Sequence, residues 1–164
     1  MQRPNTRFKR GAVAGLLGAV VVAVWFFLLD LIAGHPFQTP AALGSSLLFG
    51  RSTVDMSATV ILAYCIFHFV AFVLAGLLFV WVTERIERRP SFMLFALLFL
   101  ILAEALAVAN LATYAQWGLG SLGVWSITIA NILAIAAMAW YIWKTHPILR
   151  RISEDPPPPG AVRV

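Results

Sequence analysis

Hydrophobic residues along the chain are gathered into four long runs that are separated by short polar segments. The runs cover residues 11–32, 57–82, 91–114 and 123–143. Each is long enough to cross a hydrocarbon layer of about 30 Å as an α-helix rising 1.5 Å per residue. Because backbone groups cannot stay unpaired in hydrocarbon, such runs cross it as helices. The sequence therefore predicts an all-α integral membrane bundle of four transmembrane helices.

The composition supports a membrane protein. Of 164 residues, 61% are hydrophobic and 12% are charged, with a mean hydropathy of +0.87. An ordinary soluble domain is about 45–50% apolar and about 25% charged. These values exclude a soluble enzyme and a disordered protein, and the single cysteine, Cys65, excludes a disulfide scaffold.

Basic residues fall beside the apolar runs. Eleven of the twelve Lys and Arg residues lie in segments 1–10, 83–90 and 144–164, and the remaining one is Arg51. Positive charge marks the cytoplasmic side of a membrane protein, so both termini are predicted to be cytoplasmic. The domains are then a basic N-terminus (1–10), a transmembrane domain (11–143) and a basic, proline-rich tail (144–164). Since the charges follow this topology, nucleic acid is not an expected partner.

The first outer loop, residues 33–56, contains signals for a short helix. Thr39 and Pro40 match an N-cap followed by a first-turn proline, and Gly50 matches a C-terminal stop. A helix of about ten residues here would lie in the interface plane. Ser52 and Asp55 are predicted to cap the second span.

Three polar residues are predicted to share one level near the middle of the bilayer: His68, Glu104 and Asn131. Counting residues from the outer helix ends places them within roughly 5 Å of each other in depth. Two interpretations stay open. The layer forms interhelical hydrogen bonds, or it is a proton or cation relay or part of a cofactor site.

Asp30 lies near the outer end of the first run. It is predicted to be an exposed or loop-bonded carboxylate. The alternative is a carboxylate paired with His35 or Arg51.

No catalytic or metal-binding motif occurs in the chain. There is no Glu-x-x-His pair for a di-iron centre, and only His68 lies inside an apolar run, so a bis-His haem has too few ligands. A haem held by His68 and Met93 or Met138 is a weaker alternative. We therefore predict no enzyme activity, no metal and no cofactor.

Small residues recur three or four positions apart in all four runs, which lets helix backbones approach closely. These predicted packing residues are Gly11, Gly15, Gly18, Ala71, Ala75, Ala103, Ala107, Ala130 and Ala134.

The loop after the first run carries the pattern Asp-x-x-x-Gly-x-Pro-Phe-x-Thr-Pro. Its fixed positions are Asp30, Gly34, Pro36, Phe37, Thr39 and Pro40, and the predicted loop motif also includes His35 and Gly44. The pattern resembles one found in small four-span bacterial membrane proteins of unknown function. The resemblance implies a bacterial inner-membrane protein and brings no catalytic role with it. The motif would then form a docking surface on the periplasmic side.

Three functions fit these observations. The first is a non-catalytic accessory subunit of a respiratory or photosynthetic type of membrane complex, with lipid and other subunits as partners. The second is a small transporter or proton-conducting protein that uses His68, Glu104 and Asn131. The third is a redox protein that binds haem or quinone.

Overall fold

The computed structural model describes residues 4–89, 92, 94, 98 and 122–145. The elements within these residues are all helical: α1 (Pro4–Ile32), α2 (Gln38–Leu43) with a following π-helical turn (Gly44–Leu48), α3 (Ala58–Arg88) and α4 (Leu122–Thr145). Three of them, α1, α3 and α4, are long and apolar enough to cross a membrane. The predicted run 91–114, with Ala103, Glu104 and Ala107, lies outside the described residues except at three positions.

Two helices extend further than hydropathy predicts. The chain is helical from Pro4, so most of the basic segment 1–10 belongs to α1. The prediction of a turn at 83–90 is also wrong, because α3 continues to Arg88. Thr83 Oγ1 donates to the carbonyl of Phe79 at 2.9 Å inside this extension. Arg89 is extended (φ −144°), as a residue before proline prefers, and ends the helix.

Helix α1 packs against both α3 and α4. One buried cluster joins Ala14 of α1 with Val80 of α3 and with Met138 and Ile142 of α4. A second joins Val22 of α1 with Ala130 and Ala134 of α4. Most other large apolar side chains of the three long helices face outward, as helices surrounded by lipid do.

Glycine brings the backbones of α1 and α3 together. A Cβ at Gly76 of α3 would lie 2.2 Å from the carbonyl oxygen of Gly11 and 2.5 Å from the amide nitrogen of Gly15. Gly76 was not among the predicted packing residues. Ala75, a predicted packing residue, is exposed and lies off this contact. The helix–helix seam is therefore one residue further along α3 than the predicted Ala71 and Ala75 pair.

The loop at residues 33–56 forms a helix, but its start differs from the prediction. Helix α2 begins at Gln38, and its N-cap is Phe37 in the left-handed conformation (φ 67°), so Thr39 is not the cap. Gly50 has φ +60° just after the π-helical turn, a conformation that glycine adopts without strain. The N-cap of α3 is Ser57, so Ser52 does not cap this helix, and neither does Asp55. Its Oδ1 accepts a hydrogen bond from the amide of Ser57 at 2.9 Å.

Candidate functional site

The loop motif is closed by Asp30 and Thr39. Asp30 Oδ2 accepts the amide N–H of Thr39 at 2.8 Å, and Oδ1 accepts the Thr39 hydroxyl at 2.6 Å. Both residues are buried. A buried carboxylate is costly unless it is hydrogen-bonded, and here both of its oxygens are. Asp30 is therefore loop-bonded, and the two bonds hold the start of α2 against the end of α1.

The alternative partners of Asp30 lie elsewhere. The main-chain N–H of His35 donates to the main-chain carbonyl of Asp30 at 2.9 Å, and the His35 side chain is exposed. Arg51 instead forms an ion pair with Asp55. The pKa of Asp55 is held below its ordinary value, first by the amide and hydroxyl of Ser57 and then, against some desolvation, by Arg51.

The remaining motif residues shape the loop. Gly34 has φ +79°, and the Phe37 ring lies 5.3 Å from the Phe27 ring between centroids. Pro36 is exposed and Pro40 is half-buried. A Cβ at Gly44 would lie 2.8 Å from a side-chain carbon of Val60, so a glycine is needed where the loop packs on α3.

His68 ties α3 to α1 within the apolar region. Its Nε2 lies 3.1 Å from the carbonyl oxygen of Ala19. Because a carbonyl only accepts, we assign the ring proton to Nε2, and in the neutral ring Nδ1 is then an acceptor. The ring also contacts Phe72 at 4.7 Å between centroids. This geometry is that of an interhelical hydrogen bond.

The predicted polar layer is described only in part. Asn131 lies half-buried on α4, next to the buried Ala130. Glu104 is outside the described residues. A tie that the sequence did not indicate joins α1 to α4, where Trp25 Nε1 donates to the carbonyl of Ser126 at 3.1 Å. Its only signal was a tryptophan within a span, since such an N–H needs a partner when buried.

A cleft of about 290 Å³ lies between α1, α2 and α3. Its walls are mainly apolar and aromatic, and Asp30, Thr39, Tyr64, Cys65 and His68 also line it. Tyr64 and His68 share one face of α3, with ring centroids 6.0 Å apart. Their i, i+4 spacing was the signal available in the sequence. The volume is close to the lower limit of small-molecule sites, about 300 Å³.

We next consider which of the described residues could act as ligands of a metal ion or a haem. They contain no group of three His, Cys, Asp or Glu side chains that could hold a metal ion. Met138 is buried, and its sulfur lies 2.9 Å from where a Cβ would stand on Gly18. The side chain therefore fills the space that Gly18 leaves between α1 and α4. Met93 lies outside the described residues.

Together these features describe a helical protein with three helices suited to cross a membrane. Comparisons with protein-family models, curated proteins and solved structures find no match to this chain.

Proposed function

We propose that the chain is a four-span protein of the bacterial inner membrane with both termini in the cytoplasm. The apolar run 91–114 would supply the fourth span, and eleven of twelve Lys and Arg residues would then lie on the cytoplasmic side. Helix α2 and its π-helical turn would lie in the outer interface. Three exposed apolar side chains of this segment, Phe37, Leu47 and Phe49, would enter the lipid there.

Within this membrane we propose a non-catalytic accessory subunit of a larger complex. The observation that carries the proposal is how the polar side chains of the described spans are used. His68 and Trp25 bond to backbone carbonyls of neighbouring helices, and Asp30 bonds to Thr39. Each contact joins two parts of the same chain, which is the role of polar groups that stabilise a helix bundle.

The outer surface of α3 fits a subunit that is surrounded by lipid or by other subunits. Apolar side chains four residues apart form one exposed stripe along this helix, namely Leu62, Ile66, Val70, Leu74 and Leu78. Such spacing places them on a single face. The outer loop adds a second surface, since the Asp30–Thr39 bonds give it a fixed shape for docking.

Native mass spectrometry tests this proposal, using protein extracted in mild detergent from its own membrane. We expect the chain to travel with other subunits. Phe37→Ala, which shortens an exposed side chain of the loop, should weaken the association, while Ile132→Ala, at an exposed position of α4 outside both surfaces, serves as a control for surface truncation. A chain that always appears alone, or only with copies of itself, would overturn the accessory role.

The cleft favours a second candidate, a redox protein that binds a quinone. His68 and Tyr64 line the cleft and carry groups that could hydrogen-bond a quinone or quinol oxygen, and the aromatic walls suit a planar ring. An absorbance spectrum and solvent extraction of the purified protein test this function. A quinone recovered in equal amount with the chain supports it, and its loss in His68→Phe would place it in the cleft. Extracts without quinone contradict it.

A further inference from the structure

The first turns of α1 and the last turns of α3 and α4, which carry basic residues, lie at one end of the bundle. The buried cluster of Ala14, Val80 and Ile142 brings α1, α3 and α4 together near this end. One to two turns beyond it, Arg7 Nε of α1 lies 3.0 Å from Glu84 Oε1 of α3. The Nε–H of Arg7 does not point at a hydrogen-bond acceptor, so this contact is an ion pair without a hydrogen bond from Nε. The first turns of α1 and the last turns of α3 and α4 therefore form one surface.

This surface is positively charged. Four cationic side chains on it are exposed, and we call them the basic rim: Lys9, Arg85, Arg89 and Lys144. Among the side chains described at this end the acidic one is Glu84, which already pairs with Arg7. The opposite end differs, because its described cation, Arg51, pairs with Asp55. Positive charge without a matching carboxylate is therefore confined to one end of the described bundle.

Tryptophans place the basic rim at the height of lipid headgroups. Trp81 of α3 and Trp140 of α4 are each more than half exposed. Arg85 Cζ lies 5.6 Å from the centroid of the Trp81 ring, and Lys144 Nζ lies 4.5 Å from that of Trp140. Exposed tryptophan is enriched where hydrocarbon meets the polar headgroups. The two cations are held over these rings, at the level where lipid phosphates lie.

We propose that the basic rim binds the headgroup of an acidic phospholipid. The rim supplies cations to the phosphate, and the exposed apolar sides of α3 and α4 continue from it toward the bilayer, where they meet the acyl chains. A soluble anion would use only the first of these features, and a nucleic acid would need the basic surface to extend away from the membrane. The combination of cations, tryptophans and apolar helix sides is thus matched by a lipid.

Lipid retention in native mass spectrometry tests the proposal on the full chain. Protein in detergent is mixed with equal amounts of phosphatidylglycerol and phosphatidylcholine, and bound lipids are counted at several concentrations. We expect phosphatidylglycerol to be preferred. Each cation near an acidic headgroup contributes about fivefold in affinity, so Arg85→Gln with Lys144→Gln should lower affinity for phosphatidylglycerol by about 25-fold. Arg51→Gln removes the same charge from the opposite end and should change it little.

Two further measurements separate charge from folding. Arg85→Lys with Lys144→Arg keeps both charges and should keep the preference for phosphatidylglycerol. In the unaltered protein, added salt should reduce that preference, since exposed charges are screened. Equal retention of the two lipids by the unaltered protein would overturn the proposal. Competition by inorganic phosphate at the concentration of the lipid would also overturn it, and would indicate a site for soluble anions.

Discussion

Adding one methyl group at Gly76 should separate two helices. The new Cβ would lie 2.2 Å from the carbonyl oxygen of Gly11 and 2.7 Å from the Cα of Gly15. Real Cβ atoms essentially never approach other atoms closer than 3.0 Å, so α1 and α3 must move apart by roughly an ångström. The obstacle is backbone, which cannot turn away as a flexible side chain can.

The size of the effect follows from packing. A gap of about 0.5–1 Å loses a quarter to a half of the dispersion energy of each contact across it. Overfilled sites typically cost about 1–3 kcal/mol. We expect Gly76→Ala to lower the free energy of unfolding by about 2–3 kcal/mol, since the whole seam is affected.

The assay is unfolding of the full chain in mixed micelles by increasing SDS, followed by the far-ultraviolet circular dichroism of the helices. Ala75→Val is the matched control, because it adds bulk at the neighbouring exposed position. Gly15→Ala should also destabilise, and the double variant should cost less than the sum because both changes open the same seam. If Gly76→Ala unfolds at the same SDS fraction as the unaltered protein, the close contact between α1 and α3 is refuted.

Three further changes have defined outcomes. Thr39→Val removes the hydroxyl that donates to Asp30, so amide hydrogen exchange in loop residues 34–50 should correspond to a loss of about 1–3 kcal/mol of local stability. The Asp55 carboxyl should titrate in carbon-13 NMR below the ordinary range of an aspartate, because its pKa is lowered in the fold. Its contribution is therefore complete at neutral pH and is lost as the pH falls through that lowered pKa. His68→Phe keeps an aromatic ring but loses the bond to Ala19, which should cost about 0.6–2 kcal/mol in the SDS assay.

Each of these predictions has a control. Thr39→Ser keeps the hydroxyl and should protect the loop as threonine does, whereas equal protection in Thr39→Val would contradict the hydrogen-bonded role. Ser57→Ala should raise the Asp55 midpoint only in part, since the hydrogen bond from the main-chain amide remains, and an Asp55 that titrates in the ordinary range of an aspartate in the unaltered protein would contradict the lowered pKa. His35→Ala changes an exposed histidine and should leave the SDS midpoint unchanged. An unchanged SDS midpoint in His68→Phe would contradict a stabilising hydrogen bond between His68 and Ala19.

Hydropathy located the three described spans but not all of their ends. It measures where the chain enters hydrocarbon, and a helix continues past that point when its next residues are good helix formers. Four charged residues among 83–88 indicated a polar turn, yet α3 continues to Arg88. Pro90 in the sequence was the better indicator of the end of α3, because a residue before a proline, here Arg89, disfavours the helical conformation.

The contacts between elements were harder to predict than the elements. Asp30 and Thr39 are nine positions apart, and they meet because Phe37 adopts a left-handed conformation that its residue type does not suggest. No small residue lies three or four positions from Gly76 in the sequence, so the spacing of small residues did not identify it. Whether position 75 or 76 faces α1 depends on how α3 is rotated about its axis. Sequence periodicity fixes that rotation poorly when a helix is apolar on every side.

The close packing and the polar tie at His68 depend on each other. The carbonyl of Ala19 can be reached by a side chain of α3 only if the two backbones are near, and Gly15 and Gly76 allow that approach. The imidazole in turn secures the approach with a hydrogen bond that lipid cannot supply. Separating the helices at Gly76 should therefore weaken the bond at His68 as well. This coupling gives the histidine of an apolar helix a structural role.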